Sequence, residues 1–400
     1  MNIAIIGGGA AGFFGAITAA ESNPSCRVTI FERGKNVLEK VRISGGGRCN
    51  VTHACFDARE LVKNYPRGHR ELLGPFLQFG PEQTVQWFAR RGVNLKTESD
   101  GRMFPVTDSS QTIVDCLERS AFRAGVQVRT GARVDTLEPL PGGGWRVGTE
   151  IFDKVMVASG SNPAIWEKLR QLGHQIVSPV PSLFTFNTKD TRLRDLSGVS
   201  VPLAQLRIPG AKLSAQGPLL VTHWGLSGPA VLRLSAVGAR DLAAMEYKFT
   251  LEVHFAGHLH PDELAEAMQQ MRLEHGKKQV GNQAVASLPA RLWERLVEAA
   301  GISAGKRWAD LSKQEMQGLH KQISAANFQI SGKSTFKEEF VTAGGVSLKE
   351  IQFKTFESKI CPNLFIAGEA LDIDAITGGF NFQAAWTGGH LAGLAMASEY

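Results

Sequence analysis

One short stretch near the N-terminus constrains the fold more than any other: Gly7-Gly8-Gly9-Ala10-Ala11-Gly12, a GxGxxG set directly behind the apolar run Asn2-Ile3-Ala4-Ile5-Ile6. That run reads as a buried parallel strand. A helical stretch from Phe13 to Glu21 follows, and then a second strand, Arg27 to Phe31, which ends on Glu32. Each glycine has a physical task. Gly7 permits the tight turn, Gly9 lets the backbone approach a pyrophosphate, and Gly12 allows close packing of helix on strand. The helix aims free N–H groups and partial positive charge at the phosphates, with Ala10 and Ala11 in its first turn. Glu32, twenty residues after Gly12, is placed to accept hydrogen bonds from ribose hydroxyls. A lone GxGxxG says little, but strand, fingerprint, helix, strand and acid in this order point to a dinucleotide-binding unit.

Composition bounds the alternatives. The chain has 400 residues, 43% hydrophobic and 20% charged, which suits two or three globular cores. It has no apolar run long enough to span a bilayer as a helix, so no membrane partner is expected. The N-terminal segment lacks the basic flank of a signal peptide. Five cysteines without a CxxC pair suit a reduced, cytoplasmic protein. The net charge of +6 is concentrated: the span 33–102 holds thirteen Lys or Arg against seven acids. Such a span can attract anionic ligands or RNA, or form an ordinary solvated surface.

No second GxGxxG occurs, so one site must hold a tightly bound redox dinucleotide, and two further segments point to a flavin. In Ser44-Gly45-Gly46-Gly47-Arg48-Cys49-Asn50, read as a loop, three glycines let backbone amides approach a planar or anionic group. Arg48 could neutralise a phosphate and Asn50 could bond a ring edge. Strands are expected at 126–129, 132–137 and 154–158; the last ends in Ala158-Ser159-Gly160, where many flavoproteins cross the cofactor a second time. The strand at 363–367 runs into Gly368-Glu369, Asp372 and Gly378-Gly379-Phe380-Asn381-Phe382, which opens a helix through Ala395. A helix N-terminus aimed at the N1–C2=O edge of a flavin favours the anionic reduced form. Glu369 or Asp372 would suit ribityl hydroxyls.

Between Phe184 and Phe336 the dinucleotide pattern stops, and strand patterns separated by Gly/Pro turns take over. Residues 261–275 and 289–299 have helical spacing. The expected architecture is α/β: a discontinuous Rossmann-like FAD-binding domain (1–183 and 337–400), an inserted β-rich domain (184–260 and 321–336) and a small helical cap (261–320). Three signals carry less weight. His254, His258 and His260 match no zinc spacing and read as a solvated strand end, so no metal site is expected. Gly225-Leu226-Ser227-Gly228 is one residue short of a nucleophile elbow. Cys49 and Cys55 read more simply as a thiol beside the flavin, or as no functional thiol, than as a redox pair.

Taken together, GGGAAG (7–12), KVRISGGGRCN (40–50), GRMFPVTDSS (101–110), THWGLSGPAVL (222–232), VTAGGVSLKEI (341–351) and IAGEALDIDAITGGFNFQAAW (366–386) resemble the NAD(P)/FAD-dependent oxidoreductase family of BaiN-type bile-acid reductases, aminoacetone oxidase and YhiN-type bacterial proteins. The resemblance implies FAD contacts from the fingerprint, Glu32, Arg33, Lys40, the Ser44–Asn50 loop, Val134, the Ala158–Gly160 strand end and the Gly368–Gln383 segment. It also implies hydride exchange between flavin N5 and a small molecule, with NAD(P)H as a transient donor. Two alternatives are reduction of a uridine in ribosomal RNA and a non-catalytic flavin-binding or electron-carrier role. Arg48, His223 and Asn381 are the candidate catalytic residues. The chain departs from the family at Ser161, where a longer Gly-Ser-Thr-Gly-Asp-Gly-like loop is shortened to Asn162-Pro163-Ala164.

Overall fold

The computed structural model describes residues 1–303, 305–334 and 341–398. The chain divides into two compact units, Met1–Val180 with Lys337–Tyr400 and Pro181–Phe336. The domain junction expected at 336/337 lies outside the described residues.

The first unit is organised by a parallel sheet. Strand β1 (Asn2–Ile6) leads to helix α1 (Ala10–Ser22) and strand β2 (Arg27–Phe31). Helix α2 (Glu39–Gly47) and strand β3 (Gln127–Arg129) follow, then strand β4 (Lys154–Val157). Strand β5 (Leu364–Ile366) and helix α3 (Phe380–Ala397) complete the set. The spatial order is β5-β4-β1-β2-β3, all parallel, and the antiparallel pieces Ile351–Gln352 and Glu357–Ser358 extend it beyond β5. Ile5 lies opposite Met156 on one side and Ile30 on the other. Ile3 to Ile6 are all buried, because both faces of a parallel sheet are covered.

From β1 the chain winds to β2 and β3 on one side, then returns to β4 on the other. The reversal falls between β1 and β4, where ligands of open α/β sheets bind beyond the carboxyl ends of the strands.

Helices α1 and α3 pack as closely as their glycines allow. A Cβ on Gly389 would fall 2.5 Å from the carbonyl oxygen of Ala11, and one on Gly393 2.6 Å from that of Gly15. Residue numbers rise together along the contact, so the two helices run parallel. With Gly389 level with Ala11, α3 begins about 12 Å ahead of α1, at 1.5 Å per residue. Both N-termini therefore point the same way, staggered along parallel axes.

The second unit is built on an antiparallel sheet in the order Ala326–Ile330, Phe249–His254, Ser200–Ile208, Leu213–Val221, Gly225–Ser227, Thr185–Asn187, Gly332–Ser334. Helices Pro261–Glu274, Ala290–Ala299 and Lys313–Ser324 belong to the same unit. Leu292, Trp293, Leu296 and Trp308 are fully buried in the core shared with the sheet. Phe184 and Phe186 enter that core from the first strand of the unit.

Two local expectations change. Residues 132–136 are irregular, and only Leu137–Pro139 forms a strand there, in a small antiparallel sheet with Trp145–Val147 and Glu150–Phe152. Gly131 and Ala132 instead donate to the carbonyls of Gly34 and Glu32. The 44–50 segment is a loop, as expected, entered from a short helix: α2 runs regularly to Ile43, then breaks at Ser44 (ψ 151°), with left-handed Gly45, Gly46, Gly47 and Cys49. His254 is buried rather than solvated, and its Nε2 lies 2.9 Å from the carbonyl oxygen of Leu259.

Candidate functional site

Many of the expected residues lie at or just beyond the carboxyl ends of the parallel strands. Gly7 follows β1 at φ 115°, and a Cβ there would lie 2.4 Å from the carbonyl oxygen of Ala158, the residue that follows β4. Gly12 carries the opposite face of the turn: its Cβ would sit 2.0 Å from the carbonyl oxygen of Gly7. Gly9 differs from both, since a Cβ there would meet nothing within 4 Å. Gly9 also caps α1 without a side chain, and the first turn through Ala10 and Ala11 holds no acid. Open space above uncapped N–H groups fits a pyrophosphate.

Glu32, at the end of β2, accepts from the N–H of Gly8 (2.9 Å) and of Gly34 (2.7 Å). Both its oxygens are thereby fixed at the strand end. Its neighbour Arg33 is exposed, and Val134 is buried. On the other flank, Lys40 of α2 pairs with Glu369, tying the start of that helix to the turn after β5. Ala367 donates to the carbonyl of Val157 (3.0 Å), and Trp166 donates to that of Ala370 (2.9 Å), so the turn from Gly368 is held on both sides. Gly160 and Gly368 take left-handed φ values of 63° and 69°. Ser159 is half-buried beside them. After Ser161 the chain enters the helix Pro163–Gln171 at once, with Asn162 as its side-chain cap.

The second pole is the N-terminus of α3. Gly378 and Gly379 have φ of 140° and 88°. The Asn50 carboxamide bridges them to the 44–50 segment, accepting from Gly379 N–H (2.9 Å) and donating to the carbonyl of Thr52 (3.0 Å). Gly46 and Gly47 face open space, again a surface a planar group can approach. Ser44 Oγ donates to Val41 (2.9 Å). Cys49 is fully buried, and burial pushes its thiol up to about 12, so it is not a thiolate at neutral pH.

The three candidate catalytic side chains behave differently. The Arg48 guanidinium lies over Phe104, 4.0 Å from the ring centroid, and pairs with Glu98 (2.6 Å) and Asp108 (3.5 Å). Glu98, as first cause, holds its pKa above the ordinary value. Asn381 folds back on Ala375, accepting from its N–H (3.0 Å) and donating to its carbonyl (3.3 Å). Phe382 stacks on Trp386. His223 is exposed in the second unit, edge-on to Trp224. The structure thus gathers Arg48 and Asn381 in the first unit, and His223 belongs to the other.

Several supporting residues escape sequence reasoning. Asp374 is fully buried and pairs bidentately with Arg67. Asp372, which the sequence did single out, is half-buried close by, and its N–H donates to the carbonyl of Val346 (3.1 Å). Thr52, Gln383 and Thr387 form a buried chain that ends on the carbonyl of Phe79. An acid inside the apolar stretch Ile373–Ile376 was the one available signal, since a buried carboxylate demands a partner.

Residues 1–395 match the family model described as HI0933-like protein Rossmann domain. The chain is 29% identical to a 3-dehydro-bile acid delta(4,6)-reductase of Clostridium scindens, over 100% of this chain and 99% of that one. It is 28% identical to a ribosomal RNA dihydrouridine synthase of Haemophilus influenzae, over 99% and 98%. Among solved structures, a 3-ketosteroid-delta4-(5alpha)-dehydrogenase of Rhodococcus jostii RHA1 shares the fold, with a TM-score of 0.51 at 15% identity over 99% of this chain and 96% of that one. No helix of the described residues is long and apolar enough to cross a membrane. The chain belongs to the HI0933-like Rossmann-domain family and is an FAD-dependent oxidoreductase.

Proposed function

We propose that this chain reduces a polarised carbon–carbon double bond of a small molecule, with NAD(P)H as a transient electron donor. The observation that carries the reading is that two parallel helices, neither with a side-chain cap at its N-terminus, are staggered by about 12 Å along their axes. That stagger suits a dinucleotide whose pyrophosphate meets α1 and whose ring meets α3. Gly7, Gly9, Ala10, Ala11 and Gly12 would cradle the phosphates, and Glu32 would take the adenosine ribose. The Gly368–Glu369 turn and Asp372 would face the ribityl chain. Gly45 to Gly47, Asn50 and Gly378 to Phe382 would border the ring. Bound FAD supplies hydride exchange at N5. The α3 dipole would favour added electron density at the nearer ring edge.

The names of the relatives support the substrate class. A 3-dehydro-delta(4,6) bile acid and a uridine each carry a double bond conjugated with a carbonyl, which is electron-poor and receptive to hydride. Anaerobic mixing of the flavin-loaded protein with NADH or NADPH tests the donor: absorbance at ~450 nm should bleach and recover on adding a 3-keto-4-ene steroid acid. Flavin that stays oxidised with both nucleotides overturns the donor assignment.

A second reading, reduction of a uridine in RNA, draws on the basic span. Arg33, Lys35, Arg59, Arg70 and Arg90 make no ion pair with a described side chain. It predicts RNA binding whose affinity falls steeply with ionic strength. Affinity that is flat across salt, with steroid turnover intact, leaves the small-molecule reading standing.

A further inference from the structure

His53 stands apart from the residues assigned so far, yet it packs against the first turn of α3. The strand Thr52–His53 pairs with Arg102 and Met103. Its imidazole stacks on Phe380, with centroids 4.6 Å apart and planes within 20°. Phe380 is the first residue of α3 and is 3% exposed. Gly101 presses on the same ring so closely that a Cβ there would lie 2.3 Å from Cε1, while a Cβ on Gly378 would come within 3.4 Å of Cδ2.

The hydrogen bonding fixes the tautomer. Nε2 lies 3.1 Å from the carbonyl oxygen of Asp100, and a carbonyl only accepts, so Nε2 carries the proton. Nδ1 then holds a lone pair, shielded from solvent and without a partner among the described residues. A second proton would place an N–H there with no acceptor, so the ring stays neutral. Burial acts in the same direction and lowers its pKa from the ordinary value.

We propose that His53 is a positioning residue for the flavin: a neutral wedge that, through Phe380, sets where α3 begins and where the N–H groups of its first turn point. This rests on the FAD reading above. Two other contacts fix the same turn, Asn50 on Gly379 and the Tyr65 hydroxyl, which donates to the carbonyl of Phe380 (2.6 Å). Neutrality matters because an imidazolium here would repel the positive end of the helix. A neutral ring adds no charge of its own beside the helix dipole; the other charged neighbours at this ring are Asp100 and Arg102.

The test uses the flavin-loaded protein and reads FAD dissociation and the flavin midpoint potential rather than turnover. His53→Ala should weaken FAD retention by about tenfold or more, the scale of a small misplacement in a preorganised site, and should shift the potential. His53→Phe keeps a stacked, neutral ring and should restore most of both. Phe380→Leu should mimic His53→Ala, and the double variant should be no worse than either single one. Circular dichroism and thermal unfolding of each variant control for folding. Wild-type retention and potential in His53→Ala overturn the proposal, as does a His53→Phe variant no better than His53→Ala. Wild-type protein that cannot hold FAD defeats the cofactor reading instead, so the two failures are distinguishable.

Discussion

The Cβ that Gly12 lacks would lie 2.0 Å from the carbonyl oxygen of Gly7, whereas the one that Gly9 lacks would meet nothing within 4 Å. The two glycines therefore serve different ends, and substitution separates them. Gly12→Ala must push α1 away from the turn and should cost about 1–3 kcal/mol, the range of overpacking. Gly9→Ala has an extended φ of −94° that alanine accepts, so its stability should change by less than about 1 kcal/mol. Its methyl enters the space proposed for the pyrophosphate, and FAD affinity should fall steeply. Urea unfolding of the apoprotein and flavin titration, run on both variants, give the contrast. Unimpaired FAD binding by Gly9→Ala would contradict the placement of the phosphates.

The pair Arg67–Asp374 holds the loop that leads into α3. Asp374 is fully buried, Arg67 is 13% exposed, and their backbones also bridge. Ile376 donates to the carbonyl of Asn64 (3.0 Å) beside them. Removing the carboxylate takes a bidentate pairing from a guanidinium that is largely shut off from water. Asp374→Ala should cost about 3–5 kcal/mol, measured by urea unfolding, and Asp374→Asn less. A loss below about 1 kcal/mol for the alanine variant would show that Arg67 finds water or another partner.

The fingerprint was legible because its logic is local: strand, turn, helix and acid follow one another within thirty-two residues. The close approaches at Gly7 and Gly12 could be expected before any coordinates, since a Cβ at either position would collide with backbone. The supports of α3 were not legible. Thr52 and Gln383 are 331 positions apart, Arg67 and Asp374 307, and nothing in either sequence neighbourhood names the other. The 132–137 stretch misled for a related reason. Its alternation of apolar and polar residues suits a strand, but residues 132–136 join no sheet, and the Ala132 amide donates to the carbonyl of Glu32 instead. The short helix Glu39 to Ile43 ahead of the Gly-rich 44–50 loop was not expected, since the glycines drew attention to the turn and not to what precedes it.

Gln383 links two hydroxyls inside the protein. Thr52 Oγ1 donates to its carbonyl oxygen (2.6 Å), and its amide donates to Thr387 Oγ1 (3.1 Å), which in turn donates to Phe79 (2.7 Å). Gln383→Met keeps the volume but leaves the Thr52 hydroxyl without its acceptor. The cost should be about 1–3 kcal/mol. Adding Thr52→Val removes the stranded donor, so the double variant should recover part of that loss. A strictly additive cycle in urea unfolding would mean that the two side chains do not interact.

His390 gives the fold a defined acid sensitivity. Its ring stacks on Phe79 at 4.1 Å, and its Nδ1 lies 3.2 Å from Thr18 Oγ1 in the contact between α1 and α3. Burial lowers its pKa from 6.5 to about 4. In the unfolded chain the ring takes a proton once pH falls below 6.5; in the folded protein it does so only near 4. Across that window the unfolded state binds more protons, so stability falls as pH falls, and the slope flattens below about 4. The contribution lost is at most about 3 kcal/mol, at ~1.4 kcal/mol per pH unit. His390→Leu removes the titration while keeping an apolar side chain against Phe79. Urea midpoints should therefore drop less for His390→Leu than for the parent between pH 6.5 and 5, before most carboxylates protonate. Parallel pH profiles would show that the ring titrates normally in the folded protein.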